Sequence, residues 1–466
     1  MKPFRQYNAV SFGVLVIGFG CSLASGATTE KAQDDGIQQE LLQWNRETLT
    51  TDYEQRGNHN PKWDESAKRA LENFAKVRGG ARPTGKYVSI IAEATKAAVT
   101  NGCDDPMIKY LYARFVIQNE KHTGLEHAQL YASVADAMEH GHRPPVRKFY
   151  AALRASEAFD LGSASAIESI HHWRDEAKRF LTEVVNDKTT PGKEVAEAWT
   201  QLVDSAARSK DEWHDIYLSL EPAVFKNWTK EPEIYLLKGR YYTDYAWEAR
   251  GSGYADSVTS KGWTLYTKRL EVAEDALTKA WELNPLDERI ARAMMTVELG
   301  QGQGRARMEQ WFERAMALNT NYYDACWAKL YYLEPKWYGS HEAMLEFAAE
   351  CLNSKKWGGR VTYVVVDTHE EIAKTLGPEA RKSYWKRAEV WADIHAAFEK
   401  FFRLNPQDSG YHHNYALYAC RAEAWDELNK QIGLLGPVNY DYFGGKERFD
   451  EMVRLAKEHS TKEHSP

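Results

Sequence analysis

The chain is short of the residues on which several functional classes depend. It has five cysteines in 466 residues. Four lie beyond the N-terminal stretch, at Cys103, Cys326, Cys351 and Cys420. They are too scattered for a disulfide-built scaffold, and the lack of any CxxC pair argues against a cysteine-based zinc site. Only 30 Gly and 15 Pro are present, which argues against long disordered or low-complexity tracts. There is no excess of positive charge. Lys and Arg number 60 against 67 Asp and Glu, for a net charge of -7, so no electrostatic footprint for nucleic acid or anionic membrane exists. No GxxxxGK[ST], HExxH or GxSxG occurs, which removes the local signatures of a phosphate loop, a zinc protease helix and a nucleophile elbow. Past the N-terminus, no apolar run is long enough to span a membrane.

What is present is ring-rich. Aromatic residues make up 12% of the chain, with 16 Trp and 26 Tyr. Any core must therefore be built largely from rings. The N-terminus reads as an export signal. Lys2 and Arg5 precede "AVSFGVLVIGFGCSLASGA", and cleavage after Gly26 or Ala27 would leave small residues at the required positions. Cys21 is suggestive of lipoprotein anchoring, but Gly18-Phe19-Gly20 before it departs from the usual Leu-Ser/Ala-Gly/Ala pattern. Simple export to the periplasm or the extracellular space is the expectation.

Beyond a polar segment to Gly36, helix signals follow one another. Asn60-Pro61, Asp105-Pro106 and Thr190-Pro191 read as helix starts, each a cap followed by Pro. Ala67, Leu71 and Phe74 share a helix face, as do Leu130, Val134, Ala137 and Met138, and Ile170, Ala177 and Leu181. Gly377-Pro378 stops one helix and starts another. The β-branched run "RVTYVVVD" suggests a strand. Val361, Val365, Thr368, Ile372 and Leu376 nevertheless keep helical spacing, so a helix is expected. The fold class expected is all-α.

Three segments share a register. Ala273, Met308 and Ala343 are 35 residues apart, and Leu277, Phe312 and Phe347 keep the same step. Ala280 and Ala315 follow it too, with Glu350 in the third position. A further copy runs through Ile394, Phe398, Phe401 and Pro406, displaced by roughly 16 extra residues. A small residue, a large apolar one, another small one and then Pro describe the second helix of a hairpin packed closely on its partner. Such a unit must stack on neighbours to bury its face. On these residues the chain resembles the tetratricopeptide repeat (TPR) family. The preceding helix adds Tyr235-x2-Lys238-Gly239-x2-Tyr242, with Lys238 where that family has Leu. The resemblance implies a right-handed α-solenoid, with Gly239 allowing close helix approach. Phrases such as "LEPKWYGSHEAMLEFA" and "AWEARGSGYAD" also resemble an uncharacterised bacterial family of repeat-like helical domains. The organisation expected is a signal peptide over 1–27, a flexible segment over 28–36 and a diverged helical-hairpin region over 37–222. A TPR-like region over 231–435 and a C-terminal helix and tail over 436–466 follow.

In the repeat family only about nine residues separate the Tyr of the first helix from the small residue of the second. Here Tyr242 and Ala273 are 31 apart. "WEARGSGYADSV" is thus an enlarged connection, with Gly251-Ser252-Gly253 ending one helix and Thr259 or Ser260 capping the next. Tyr241, Tyr245, Trp247, Tyr254, Trp263 and Tyr266 crowd it. Tyr245, Trp247, Arg250 and Tyr254 are the candidate partner-binding residues, as aromatic and Arg side chains dominate interaction hot spots. His412, His413 and Tyr418 are a second candidate group. They lie on the helix after Pro406, in the layer that lines the concave face of stacked hairpins.

No catalytic residue, cofactor or metal set is expected. Asp244, Glu248 and Asp256 offer carboxylates for glycoside chemistry, but the i, i+4 pair equally suits a solvated face. His122, His127, His140, His142, His171, His172 and His369 lack metal-ligand spacing. Ser340 reads as a helix cap. Cys326 and Cys351 flank one hairpin and are a possible disulfide. The function expected is an exported, non-catalytic scaffold that binds an envelope or secreted protein or peptide. An all-helical carbohydrate-active or glycan-binding protein, and a plain structural spacer, remain as alternatives.

Overall fold

The computed structural model describes residues 39–81, 84–117, 124–159, 164–208 and 213–463. The export signal, Cys21 and the segment over 28–36 lie outside the described residues. Among the described residues every regular element is a helix and no strand occurs. No described helix is long and apolar enough to cross a membrane.

The chain divides into two compact units, residues 1–237 and 238–466. After a π-helical turn, Glu47–Thr51, the first contains α1 (Asp52–Arg56), α2 (Asp64–Arg78), α3 (Thr84–Thr100), α4 (Pro106–Phe115) and α5 (Gly124–His140). It continues through α6 (Pro145–Ala158), α7 (Ala164–Asn186), α8 (Gly192–Arg208) and α9 (Trp213–Asn227). The division falls inside a continuous helix, α10 (Pro232–Arg250). The second unit then runs through α11 (Ser260–Leu283), α12 (Glu288–Gln301), α13 (Arg305–Leu318), α14 (Tyr323–Tyr332) and α15 (His341–Asn353). Its last elements are α16 (Val364–Lys374), α17 (Pro378–Trp385), α18 (Ala388–Leu404), α19 (Tyr411–Arg421), α20 (Trp425–Leu434) and α21 (Lys446–Glu463).

Local chemistry explains where these helices start and stop. Asp105 caps α4 by accepting from the Met107 and Ile108 amides, with Pro106 in the first turn. Thr259 caps α11 through Gly262 N, and Ser340 caps α15 through Ala343 N. Asn60-Pro61 behaves differently from expectation. Its side chain serves the Lys62 amide in a turn, and α2 begins only at Asp64. The "RVTYVVVD" run is helical, as a 3-10 turn (Val361–Tyr363) leading into α16. Val364 and Val366 are buried as well as Val361 and Val365. The run is β-branched because it is buried nearly all round, and tertiary packing overrides the local strand preference. In α5 the buried face is Ala128, Tyr131, Val134, Ala135 and Met138, while Ala137 points to solvent.

The repeat positions are core positions. Ala273, Leu277, Ala280, Met308, Phe312, Ala315, Phe347, Ile394, Phe398 and Phe401 are all buried, whereas Ala343 is half-buried and Glu350 exposed. A Cβ on Gly239 would lie within 2.6 Å of Leu277 Cδ2, so α10 and α11 approach closely there. Within each unit helices pack on their chain neighbours and often on the next but one, as in α12 on α13 and α14, or α14 on α16.

The first unit carries a buried charge network. Glu194, 2% exposed, accepts from Arg78 Nη2 at 2.6 Å and from the Tyr150 hydroxyl at 2.7 Å. Arg147 donates to Asn45 Oδ1 (2.7 Å) and Thr48 Oγ1 (2.6 Å) and lies over the Trp44 ring. Burial pulls the Arg147 guanidinium down to about 10, with Glu194 opposing and Arg78 reinforcing that shift. Burial would raise Glu194, but Arg78, Arg147 and the Tyr150 hydrogen bond outweigh it and hold the carboxyl below its ordinary range.

Candidate binding site

The enlarged connection is a helical hairpin tip. Helix α10 ends at Gly251, whose φ of +76° gives the left-handed stop that the sequence calls for. A short 3-10 turn, Ala255–Ser257, follows before the Thr259 cap. The extra residues mostly lengthen the two helices, and they pack through Ala246, Tyr266 and Leu270 with Trp247 against them.

Arg250 sits at the centre of the ring cluster. Its guanidinium carbon lies 5.5 Å from the Trp247 ring centroid, 5.8 Å from Trp263 and 5.7 Å from Trp337. Its Nη1 donates to Gly253 O at 3.0 Å, which ties the glycine turn to the cation. Trp247 meets Tyr266 and Trp337 edge-on at 5.3 and 5.6 Å. The Trp247 indole N–H is buried and, among the described residues, has no hydrogen-bond partner. Tyr254 crowns the tip, 74% exposed, with Trp263 and Tyr338 also reaching solvent. Tyr245 serves differently. The Arg269 guanidinium lies on its ring, and Arg269 Nη1 donates to its carbonyl at 2.7 Å, which braces α10 against α11.

Of the four hairpin candidates, Trp247, Arg250 and Tyr254 thus share the tip and Tyr245 lies in the shaft. Trp337 and Tyr338 were missed. They arrive from the turn between α14 and α15, far along the chain, and "PKWYGS" gives no local sign of that contact. Tyr338 donates to Leu299 O at 3.2 Å. Burial raises the hydroxyls of Tyr266 and Tyr338 above their ordinary range, with Arg250 pulling each back.

The second candidate group is held within the chain. His412 stacks on Phe402 at 4.2 Å, and its Nδ1 is 2.6 Å from Gln431 Oε1. His413 is 9% exposed. Its Nε2 accepts from the Asn439 amide while Nδ1 faces Gly410 O, which fits a neutral ring protonated at Nδ1. Tyr418, 7% exposed, donates to Glu370 Oε1 at 2.8 Å. All three have structural partners.

Cys326 and Cys351 are both buried free thiols rather than a disulfide. They are brought together, with Cys351 hydrogen-bonded to Cys326 and the Cys326 thiol 3.6 Å from Met316 Sδ. The apolar surroundings push the Cys351 thiol well above its ordinary value and keep it protonated. Among the described residues no group of three or more His, Cys, Asp and Glu could hold a metal ion. Asp244 is half-buried, whereas Glu248 and Asp256 are exposed, and Asp244 and Glu248 both have partners. The chain matches no protein-family model and no curated protein sequence.

Proposed function

We propose that this chain is an exported, non-catalytic binding scaffold, a TPR-like α-solenoid of stacked helical hairpins. It recognises an envelope or secreted protein or peptide through the enlarged hairpin, with a helical-repeat groove as the supporting surface. One observation carries the reading: Arg250 held over three tryptophans beneath an exposed Tyr254. Such a surface is rigid before binding, so little side-chain entropy is lost on contact. It also has the Trp, Tyr and Arg content of interaction hot spots. The stacked-hairpin architecture is supported by buried repeat positions and by helices that pack on the next and next-but-one neighbour. Among the described residues the exposed rings are Tyr254, Trp263, Tyr338, Tyr440 and Tyr442, and this small number favours a scaffold over a sugar-stacking platform.

The test is a crosslinking pull-down from the source cell's envelope with the natural chain and an Arg250→Ala/Tyr254→Ala variant. Trp247 is left intact because it packs into the hairpin core. A protein captured by the natural chain and lost by the folded variant is the expected result. Equal capture by both would move recognition to the groove. Recovery of polysaccharide without protein would replace this reading with the glycan-binding one.

A further inference from the structure

A second surface feature lies where the repeat register is broken. The roughly 16 residues that displace the last copy of the repeat include helix α17 and its flanks. That helix forms one wall of a basin of about 340 Å³, lined by Glu370, Arg381, Lys382, Trp385, Lys386 and Arg421. Four cations thus face one carboxylate, with the Trp385 indole largely buried beneath Arg421. The basin is open to solvent, so any ligand there is held by its charge.

The two arginines are held in place. Arg381 donates to the last carbonyls of α16, through Nε to Ala373 O at 2.8 Å and through Nη2 to Lys374 O and Leu376 O. Among the described residues its Nη1 has no partner. Arg421 pairs with Glu370 and lies 5.2 Å from the Trp385 ring and 5.1 Å from Tyr418. Lys386 pairs with Glu423, and Lys382 with Glu379. Both lysine pairs are solvent-exposed and therefore cheap to exchange for another anion.

Glu423 supplies an independent observation. Among the described residues it is the one non-glycine with positive φ, at +59°. It closes α19, where Ala424 N reaches back to Ala419 O at 2.9 Å, a stop that glycine serves best. The carboxylate of this residue pairs with Lys386, which lines the basin.

We propose that this basin binds a small organic anion. Its carboxylate or phosphate group is held by Lys386, Arg381 and Arg421, the last backed by the Trp385 ring. The site is separate from the Arg250 surface and does not depend on it.

Isothermal titration calorimetry of the full chain with citrate, inorganic phosphate and neutral glycerol, at fixed ionic strength, tests it. Saturable binding of citrate or phosphate and none of glycerol is expected. The ratio of the two affinities tells carboxylate from phosphate. A Lys382→Met/Lys386→Met variant, which removes only exposed ion pairs, is expected to bind at least tenfold more weakly with an unchanged melting temperature. Glu370→Gln removes the one lining carboxylate while keeping an acceptor for Tyr418, and is expected to bind about threefold more tightly by relief of like-charge repulsion. Damage to the fold cannot mimic that gain. No saturable heat with either anion would overturn the proposal, as would affinities that the double variant and Glu370→Gln leave unchanged.

Discussion

Replacing Gly239 by Ala tests the helix contact on which the repeat resemblance turns. In an unobstructed helix interior, Gly→Ala stabilises by about 0.8–1 kcal/mol because the unfolded chain loses freedom. At Gly239 the new Cβ would sit within 2.6 Å of Leu277 Cδ2 and against Cγ as well. Leu277 is 0% exposed, so it can yield only by leaving its rotamer or moving the helix. Overpacking of this kind costs roughly 1–3 kcal/mol, and two blocked atoms put it in the upper half of that range. The net expectation is a loss of about 1–2 kcal/mol. Gly433 on α20 is the internal control, since a Cβ there meets nothing within 4 Å and the residue is exposed. Gly433→Ala should stabilise by up to ~1 kcal/mol. Thermal and urea unfolding of the full chain, following the second unit, would read opposite signs. In Gly239→Ala/Leu277→Ala the combined loss should fall short of the sum by about 2–3 kcal/mol, because the clash partner is gone. Equal stabilisation by both alanines would refute the close approach of α10 and α11.

Other consequences concern the buried polar groups. Glu194→Gln leaves Arg78 and Arg147 without their anion and should cost roughly 3 kcal/mol in urea unfolding of the first unit. The Glu194 carboxyl is held below its ordinary value, so its stabilisation is full above about pH 4.3 and is lost as pH falls through the folded value. The Gln variant should lose that acid dependence, and an unchanged acid transition would contradict it. Asp367 is the opposite case. Burial pushes its carboxyl up to about 7, against the pull of Tyr323 and Arg360, so its folded state loses stability as pH rises from about 4 to 7. Asp367→Asn keeps an acceptor for the Tyr323 hydroxyl and should stabilise by roughly 1–2 kcal/mol at pH 8 after discounting for partial exposure. The gain should shrink toward pH 4, and a pH-independent effect would count against the buried charge. Burial raises the thiols of Cys103 (to about 11), Cys351 and Cys420, so each should alkylate far more slowly at pH 8 in the native chain than in urea. Mass mapping of iodoacetamide adducts checks this, and full-speed labelling of Cys351 would exclude its buried, protonated state.

What the sequence made legible is what short-range chemistry decides. Asp105, Thr259 and Ser340 cap the helices they precede, because a cap needs only the next turn. Repeat spacing marked Leu277, Phe312 and Phe398 as core. The hairpin tip was readable as a glycine stop beside rings and Arg250. Its completion by Trp337 was not, since nothing local links α10 to the turn after α14. The Arg78–Glu194 pair joins residues 116 positions apart, which no local pattern announces. Cys326 and Cys351 were rightly placed together, but side-by-side thiols do not require a bond. The division into two compact units falls within α10, where an unbroken helical pattern gives no signal.

Site-specific photocrosslinking tests the central claim most directly. A benzophenone amino acid would be placed at Tyr254, with a second chain carrying it at Leu434, which is 49% exposed and remote in sequence from the hairpin. Both would be irradiated in the source cell. The account predicts one discrete protein adduct from position 254, strongly reduced by Arg250→Ala, and none from position 434. The same adducts from both positions, or an adduct from 254 indifferent to Arg250, would contradict recognition through the Arg250 and tryptophan surface.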